Sequence, residues 1–193
     1  MTEIKRLTRL SKFLAVMLRH DPLRFGLSLD AQGYADLDQV WRQIVGRFRG
    51  TYTYQDLLDV VDGDATGKKR YEISGRKIRA LYGHSSVAIA YEACEPPENL
   101  YHGTTIEALP AILEQGLIRQ KRQYVHLTSN RERALTTASR HQGEIILLII
   151  RAGDAYHAGV TFYHPEAEHY LARAIPPEFI TTALPDTPHE IIP

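Results

Sequence analysis

The chain has 193 residues, and its composition is ordinary for a soluble globular protein. Its formal net charge of zero excludes an overall electrostatic attraction to nucleic acid. A single cysteine, Cys94, excludes an internal disulfide and a cysteine-based metal site, and it favours a reducing compartment. The chain starts without an apolar signal-peptide core, and its longest apolar run, Ile145–Ile150, is too short to cross a bilayer. We therefore expect a cytoplasmic protein with no membrane partner.

The chain opens with an amphipathic helical pattern. Leucine and methionine residues recur at helical spacing from Leu7 to Leu18, and Pro22 ends the helix. Arg19 and His20 are therefore predicted on its last turn, where a cation also complements the helix dipole. That structural role is about as credible for this pair as a catalytic one.

Two further helices and a hairpin follow. Asp36 is the predicted N-cap of the second helix, and Thr53 with Asp56 resembles a capping box that opens the third. The apolar period then changes from helical to alternating on both sides of Ser74-Gly75-Arg76, which predicts a β-hairpin. Three helices followed by a hairpin are typical of a winged helix, so we predict such a lobe over residues 1–91.

The second half alternates strands and helices. A stiff Glu-Pro-Pro-Glu stretch predicts a linker over residues 92–99 and a second domain over residues 100–193. Its helices are predicted to end at Gly116 and to begin after Asn130. The predicted strands are Leu100–Thr104, Tyr124–Leu127, Glu144–Arg151, Val160–Tyr163 and His169–Ala174. The fold class that these elements predict is α+β.

The residues that carry chemistry are cationic. No histidine pair has a metal-ligand spacing, so no metal is expected, and no glycine-rich phosphate loop is present. Arginines and histidines instead recur at the ends of predicted elements, where a guanidinium fork suits phosphate. Any one of them alone is more often a solvated arginine or a core histidine. The set comprises Arg19, His20, Arg79, His84, His102, Arg122 and His126.

Four segments together resemble the RNA 2′-phosphotransferase family. They are Leu18-Arg19-His20-Asp21-Pro22, Ile78-Arg79-Ala80 with Gly83-His84-Ser85, Leu100-Tyr101-His102-Gly103-Thr104, and Val125-His126-Leu127-Thr128. Phe162-Tyr163 ahead of Pro176-Pro177 continues the pattern. Each motif alone is weak, but their order and spacing are specific and cover residues from about 10 to about 180.

The resemblance implies a winged-helix RNA lobe and an ADP-ribosyltransferase-like lobe that binds NAD. It also implies transfer of an internal RNA 2′-phosphate to ADP-ribose, which yields 2′-hydroxyl RNA, nicotinamide and ADP-ribose 1″,2″-cyclic phosphate. By motif, the phosphate-handling residues fall on Arg19, His20, Arg79 and Arg122. NAD contacts fall on His102, Gly103, Thr104, His126 and Thr128, with Gly103 expected to leave room for the dinucleotide. A monomer is the default expectation.

The sequence departs from the family pattern in three places. Leu81-Tyr82 stands where the family has Asn-Gln, and Thr128 stands where it has Ser. Glu168-His169-Tyr170-Leu171 occupies the region of an Asn-Gly-Val-Trp segment. Two alternatives stay open: an ADP-ribosyltransferase with another acceptor, such as a terminal nucleic-acid phosphate, and a non-enzymatic winged-helix protein that senses NAD.

Overall fold

The structure is a computed structural model that describes residues 2–63 and 68–183. It combines helices with antiparallel strands, so the predicted α+β class is confirmed. The chain divides into two compact units, Met1–Tyr91 with Lys121–Gln123 and Glu92–Gln120 with Tyr124–Pro193. The first unit thus includes a short segment from the second half of the chain. None of the helices in the described ranges has both the length and the apolar character that a membrane span needs.

The first helix ends in an unusual turn. Helix α1 (Glu3–Ala15) continues directly into a π-helical turn (Val16–His20), in which the N–H of Asp21 donates to the carbonyl of Val16 at 2.9 Å. The predicted end before Pro22 is confirmed, whereas the π-turn carries no sequence signal that we recognised. Single π-turns are rare and often mark functional sites.

The caps predicted for the next two helices are present. The side chain of Asp36 accepts from the N–H of Gln39 at the start of α2 (Leu37–Phe48). Thr53 and Asp56 form a reciprocal capping box at the start of α3 (Tyr54–Asp62). Both caps satisfy backbone donors that have no partner within the helix.

A three-stranded antiparallel sheet completes the first unit. The strands β1 (Tyr34–Asp36), β2 (Tyr71–Ser74) and β3 (Lys77–Ala80) lie in the order β1-β3-β2. The predicted hairpin is confirmed, and the short β1 was not predicted because three residues carry too little pattern. Apolar side chains from all three helices and the sheet form one core, including Leu10, Leu14, Met17, Val40, Ile44, Leu57, Tyr71 and Ile78.

A seven-stranded antiparallel sheet forms the centre of the second unit. Its strands are β4 (Ala93–Cys94), β5 (Asn99–Thr105), β7 (Val125–Thr128), β8 (Ile145–Arg151), β9 (Phe162–Glu166), β10 (His169–Ala172) and β12 (Ile180–Thr182). Their spatial order is β12-β8-β5-β7-β10-β9-β4. The five predicted strands are confirmed to within a few residues. The edge strand β4 lies inside the segment predicted as a linker.

Smaller elements cover this sheet. A two-stranded pair joins β6 (Leu117–Ile118) to β11 (Ala174–Ile175). The helices are α4 (Leu109–Gln115), α5 (Arg131–Ala138) and α6 (Ala152–His157). The predicted ends at Gly116 and Asn130 are confirmed: Gly116 has a φ of 80°, and Asn130 accepts from the N–H of Arg133. Helix α6 was not predicted.

Candidate functional site

Arg19 is held in the first unit between two tyrosine rings. Its Cζ lies 5.3 Å from the ring centroid of Tyr71 and 5.0 Å from that of Tyr82. Its Nη2 donates to the carbonyl of Arg70 at 3.2 Å, and no other hydrogen bond of this guanidinium occurs within the described residues. The two rings restrict the orientation of the group, and its Nε is buried without a hydrogen-bond partner among the described residues.

His20 is oriented by a loop that returns to the helix end. Ser85 donates its N–H to the carbonyl of Arg19 at 3.0 Å, and Ser85 Oγ lies 2.8 Å from Nδ1 of His20. Partial burial, with the charges of Arg19 and Arg122, lowers the pKa of His20. The imidazole is therefore neutral near pH 7, and its Nε2 is the atom left to face a ligand.

Gly83 and His84 shape the same loop. Gly83 has a φ of 86°, and a side chain there would contact the Arg19 guanidinium. His84 is 2% exposed and lies within electrostatic range of Arg19, His20 and Arg79. Burial and then those cations lower the pKa of His84 to about 4. A buried histidine at the centre of several cations thus adds no charge of its own at neutral pH.

The hydrogen bonds of His84 fix its tautomer. The Tyr91 hydroxyl donates to the carbonyl of Leu81 at 3.0 Å and lies 3.4 Å from Nδ1 of His84. Because that hydroxyl has only one proton, Nδ1 carries the hydrogen that points at Tyr91. Nε2 is then unprotonated, and it has no hydrogen-bond partner within the described part of the chain.

Arg79 lies on the central strand of the small sheet, between two partners. The register places Tyr34 of β1 opposite it on one side and Glu72 of β2 on the other. Nε of Arg79 donates to Oε2 of Glu72 at 2.7 Å, and the Tyr34 hydroxyl donates to the same oxygen at 2.8 Å. The Cζ of Arg79 lies 4.6 Å from the Tyr34 ring centroid. This arrangement fixes the guanidinium through its Nε edge.

Arg122 reaches the first unit on the segment Lys121–Gln123. Gln123 fixes this segment, since it exchanges two side-chain hydrogen bonds with the backbone of Ile89, at 2.9 and 3.1 Å, and its N–H donates to the carbonyl of His84 at 3.3 Å. Partial desolvation and the charge of Arg19 lower the pKa of Arg122. The effect of the Arg19 charge on Arg122 places the two guanidinium groups within electrostatic range of each other.

The structure therefore brings all four predicted phosphate residues into one unit. The charges of Arg19 and Arg122 act on His20, that of Arg19 acts on Arg122, and those of Arg19 and Arg79 act on His84. This group contains one ion pair, between Arg79 and Glu72, and its excess of positive charge suits a polyvalent anion. Sequence reasoning missed the residues that support this group: Tyr34, Tyr71, Glu72, Tyr82, Ser85 and Gln123.

The residues predicted to contact NAD lie on two neighbouring strands of the second unit. His102, Gly103 and Thr104 are on β5, and His126 and Thr128 are on β7. Nδ1 of His102 donates to the carbonyl of His126 at 2.9 Å, which leaves Nε2 as an acceptor. Burial lowers the pKa of His102 despite that bond.

A histidine pair extends this group. Nδ1 of His126 lies 2.9 Å from Nε2 of His169 on β10, so one of these two nitrogens donates a hydrogen bond to the other. Thr128 lies opposite His169 and is buried, and its hydroxyl accepts from the N–H of Asn130. His169 belongs to the segment that departs from the family pattern, so the sequence comparison gave it no role.

Gly103 is explained by helix packing. A Cβ at this position would lie 2.5 Å from the carbonyl oxygen of Ala134 and 2.7 Å from the Cβ of Ala138, both on α5. The packing of α5 excludes a side chain here whether or not a dinucleotide passes nearby, so the expectation that Gly103 leaves room for NAD stays a prediction. The close approach of helix and strand is what requires the missing side chain.

The segment that departs from the family pattern is stabilised by contacts with residues at the start of α5. Glu168 adopts a left-handed backbone with a φ of 60°, which is unusual for a residue other than glycine. Its carboxylate lies 3.3 Å from both Arg133 and Asn130, and Arg133 also pairs with Glu166 at 3.4 Å. These contacts to α5 stabilise the turn between β9 and β10.

Neither unit shows an arrangement for a metal. Across residues 2–63 and 68–183, no group of three or more His, Cys, Asp or Glu side chains is placed to hold one.

Comparison with known proteins points to one family. The sequence pattern of the family described as "RNA 2′-phosphotransferase, Tpt1 / KptA family" matches residues 5–174. A relative from Acetivibrio thermocellus, named "Probable RNA 2′-phosphotransferase", is 42% identical over 90% of this chain and 95% of its own length. Relatives with the same name from Thermococcus kodakarensis and Pseudomonas aeruginosa are 38% and 40% identical, over 91% and 93% of this chain and 97% and 98% of their own.

Proposed function

Because the chain belongs to the RNA 2′-phosphotransferase, Tpt1 / KptA family, we propose that it removes a 2′-phosphate from RNA and transfers it to the ADP-ribose part of NAD. In this proposal the first unit is a winged-helix lobe that holds the RNA phosphate. The second unit is an ADP-ribosyltransferase-like lobe that holds NAD. No metal takes part.

One observation carries the proposal. Arg19, His20 and Arg79 come from the first half of the chain, and Arg122 comes from the second, yet all four belong to the same unit. Like-charged residues that are far apart in sequence rarely lie together in a fold unless an anion offsets their repulsion. A phosphate dianion is the ligand that three guanidinium groups and a hydrogen-bonding imidazole fit.

Each residue has a role that its contacts support. Arg19 and Arg79 are oriented by tyrosine rings and by Glu72, and they hold the phosphate oxygens as the reacting centres align. Arg122 adds a third cation that stabilises charge in the transition state. His20 is neutral and held through Nδ1, so its Nε2 can exchange a proton with a phosphate or hydroxyl oxygen.

The second unit offers donors and acceptors that suit a ribose. NAD supplies the anomeric carbon that receives the phosphate and the hydroxyl that then displaces the RNA. His102 is neutral and presents Nε2 as an acceptor, which fits a ribose hydroxyl. His126 and Thr104 lie on the same pair of strands. Thr128 is buried, so it supports the site through the N–H of Asn130.

The test uses the pure protein, NAD and an oligonucleotide with one internal 2′-phosphate. We expect 2′-hydroxyl RNA, nicotinamide and ADP-ribose 1″,2″-cyclic phosphate in equal amounts. A parallel reaction offers an oligonucleotide with only a terminal phosphate. ADP-ribose attached to that terminus, without release of 2′-phosphate from the first RNA, would replace the proposal with a transferase of another acceptor. Binding of NAD without turnover of either RNA would leave a non-enzymatic sensor.

A further inference from the structure

A strip of cations runs along the exposed face of α1 towards the phosphate residues. Lys5, Arg9 and Lys12 are exposed and follow the i, i+4, i+7 spacing that places side chains on one helix face. Val16 continues this face, and His20 closes the π-helical turn that follows. One unbroken helical segment therefore leads from Lys5 to the imidazole of the candidate site, over roughly 20 Å.

Among the described residues, the cations of the strip have no acidic partners, in contrast to a neighbour on the same helix. Arg6 donates to both carboxylate oxygens of Asp56, at 2.6 and 2.5 Å, and this contact lowers the pKa of Asp56 to about 2. No carboxylate in the described part of the chain lies within ion-pair distance of Lys5, Arg9 or Lys12. In a chain with zero net charge, this face is a local excess of positive charge.

Helix α2 adds a further cation beside the strip. The guanidinium of Arg9 lies 5.2 Å from the ring centroid of Phe48, and that of Arg47 lies 5.9 Å from the same centroid. The ring is fixed by edge-on contacts with Phe13 and Tyr52, at 5.1 and 4.8 Å. Two like charges therefore share one aromatic surface, and Arg47 also has no carboxylate partner within the described residues.

We propose that Lys5, Arg9, Lys12 and Arg47 form a track for the sugar-phosphate backbone of the RNA strand whose 2′-phosphate meets His20. This inference rests on the proposed function. A regularly spaced polyanion matches a regularly spaced row of unpaired cations, whereas a small anion would need only one of them. The track carries no base-reading group, so it adds affinity without sequence preference.

The experiment compares two RNAs that each carry one internal 2′-phosphate. One is the shortest RNA with a residue on either side, and the other has about 12 nucleotides, within the range of single-strand binding sites. We expect kcat/KM to be higher for the long RNA. In the variant K5Q/R9Q/K12Q this advantage should fall about tenfold, and the slope of log affinity against log salt should become shallower by about 2.

A matched control loses the same charge elsewhere. Arg76, Lys77 and Arg151 are exposed cations that pair with Asp38, Asp30 and Asp154. The variant R76Q/K77Q/R151Q should keep the advantage of the long RNA and its salt slope. The track is overturned if the strip variant keeps that advantage, or if the control loses as much.

The two proposals fail in different ways. If the wild-type protein converts neither RNA, the proposed function fails. In that case, binding of a long RNA that lacks the 2′-phosphate tests the track separately from the reaction. Weaker binding by the strip variant than by the control supports it, and equal binding overturns it.

Discussion

Glu72 holds Arg79 by the Nε edge of its guanidinium, at 2.7 Å, and leaves the far side of the group directed away from the pair. Such a contact resembles a stabilising ion pair, but Glu72 is 42% exposed, and pairs of that kind contribute only about 0–1 kcal/mol to folding. The pair therefore matters because it orients the guanidinium of Arg79. Nη1 of Arg79 also donates to the carbonyl of Gln32 at 3.4 Å, so the guanidinium has a fixed orientation, and its planar fork is what suits arginine to phosphate.

Glu72→Gln should lower kcat about 10- to 100-fold, because a small misplacement of a phosphate ligand has effects of that size. The free energy of unfolding should change by less than about 1 kcal/mol. Denaturant unfolding and steady-state kinetics measure the two quantities separately. In an Arg79→Ala background the same substitution should have no further effect. A full additional loss there would show that Glu72 acts independently of Arg79.

Arg79→Ala should leave the fold intact and slow turnover by about 3–4 kcal/mol in activation free energy, the usual loss for one preorganised donor to developing charge. Arg79→Lys should rescue little, since lysine keeps the charge but has no Nε for Glu72 and no fork for phosphate. Single-turnover kinetics with saturating RNA measures the chemical step. Dephosphorylation by Arg79→Ala at a rate near that of the wild type would remove this residue from the site.

Gly103→Ala should destabilise the second unit by about 1–3 kcal/mol, since its Cβ would overlap the backbone oxygen of Ala134 on α5. Affinity for NAD, measured by calorimetry well below the melting temperature, should change much less than stability. Gly46→Ala is the control, because Gly46 lies in α2 with open space at its Cβ. Alanine there should be neutral or stabilising. A large loss of NAD affinity with unchanged stability would contradict the packing explanation and support a dinucleotide contact at Gly103.

His84 should make the protein sensitive to mild acid. Its pKa is about 4 in the folded protein and near 6.5 in the unfolded chain, so the unfolded chain binds more protons between these values. Stability is therefore complete above pH 6.5 and declines as the pH falls towards about 4, by on the order of 3 kcal/mol. His84→Asn keeps a donor for Tyr91 and should flatten this decline. Parallel slopes of unfolding free energy against pH would assign the decline to other groups.

Much of the local architecture follows from local signals. The capping box at Thr53 and the N-caps at Asp36 and Asn130 are readable because the capping atoms lie within three residues of their partners. The pairing of Glu72 with Arg79 was also within reach, because a turn at Gly75-Arg76 fixes the register of the hairpin. The sequence interpretation concentrated on the motif arginine and overlooked the residue opposite it.

Other features depend on contacts that no local pattern encodes. Tyr34 meets Arg79 only because the three-residue strand β1 pairs with β3. His169 pairs with His126 only through the β7–β10 register. The packing of α5 against Gly103 is likewise not visible in the motif that contains this glycine. The residues that support a site are therefore brought together by the tertiary fold and are not visible in a local sequence pattern.

Because Lys121–Gln123 belong to the first unit, the candidate phosphate residues of this unit are synthesised in two stages. Residues up to Tyr91 leave the ribosome first and contain Arg19, His20 and Arg79. The loop that contains His84 and Ile89 forms its hydrogen bonds with Gln123 only after Gln123 has been synthesised, and Arg122 is synthesised just before it. At roughly 5–20 residues per second, the nascent chain spends a few seconds without Arg122 and Gln123. A fragment that ends at Tyr91 would lack Arg122 and the hydrogen bonds that Gln123 makes with Ile89 and His84.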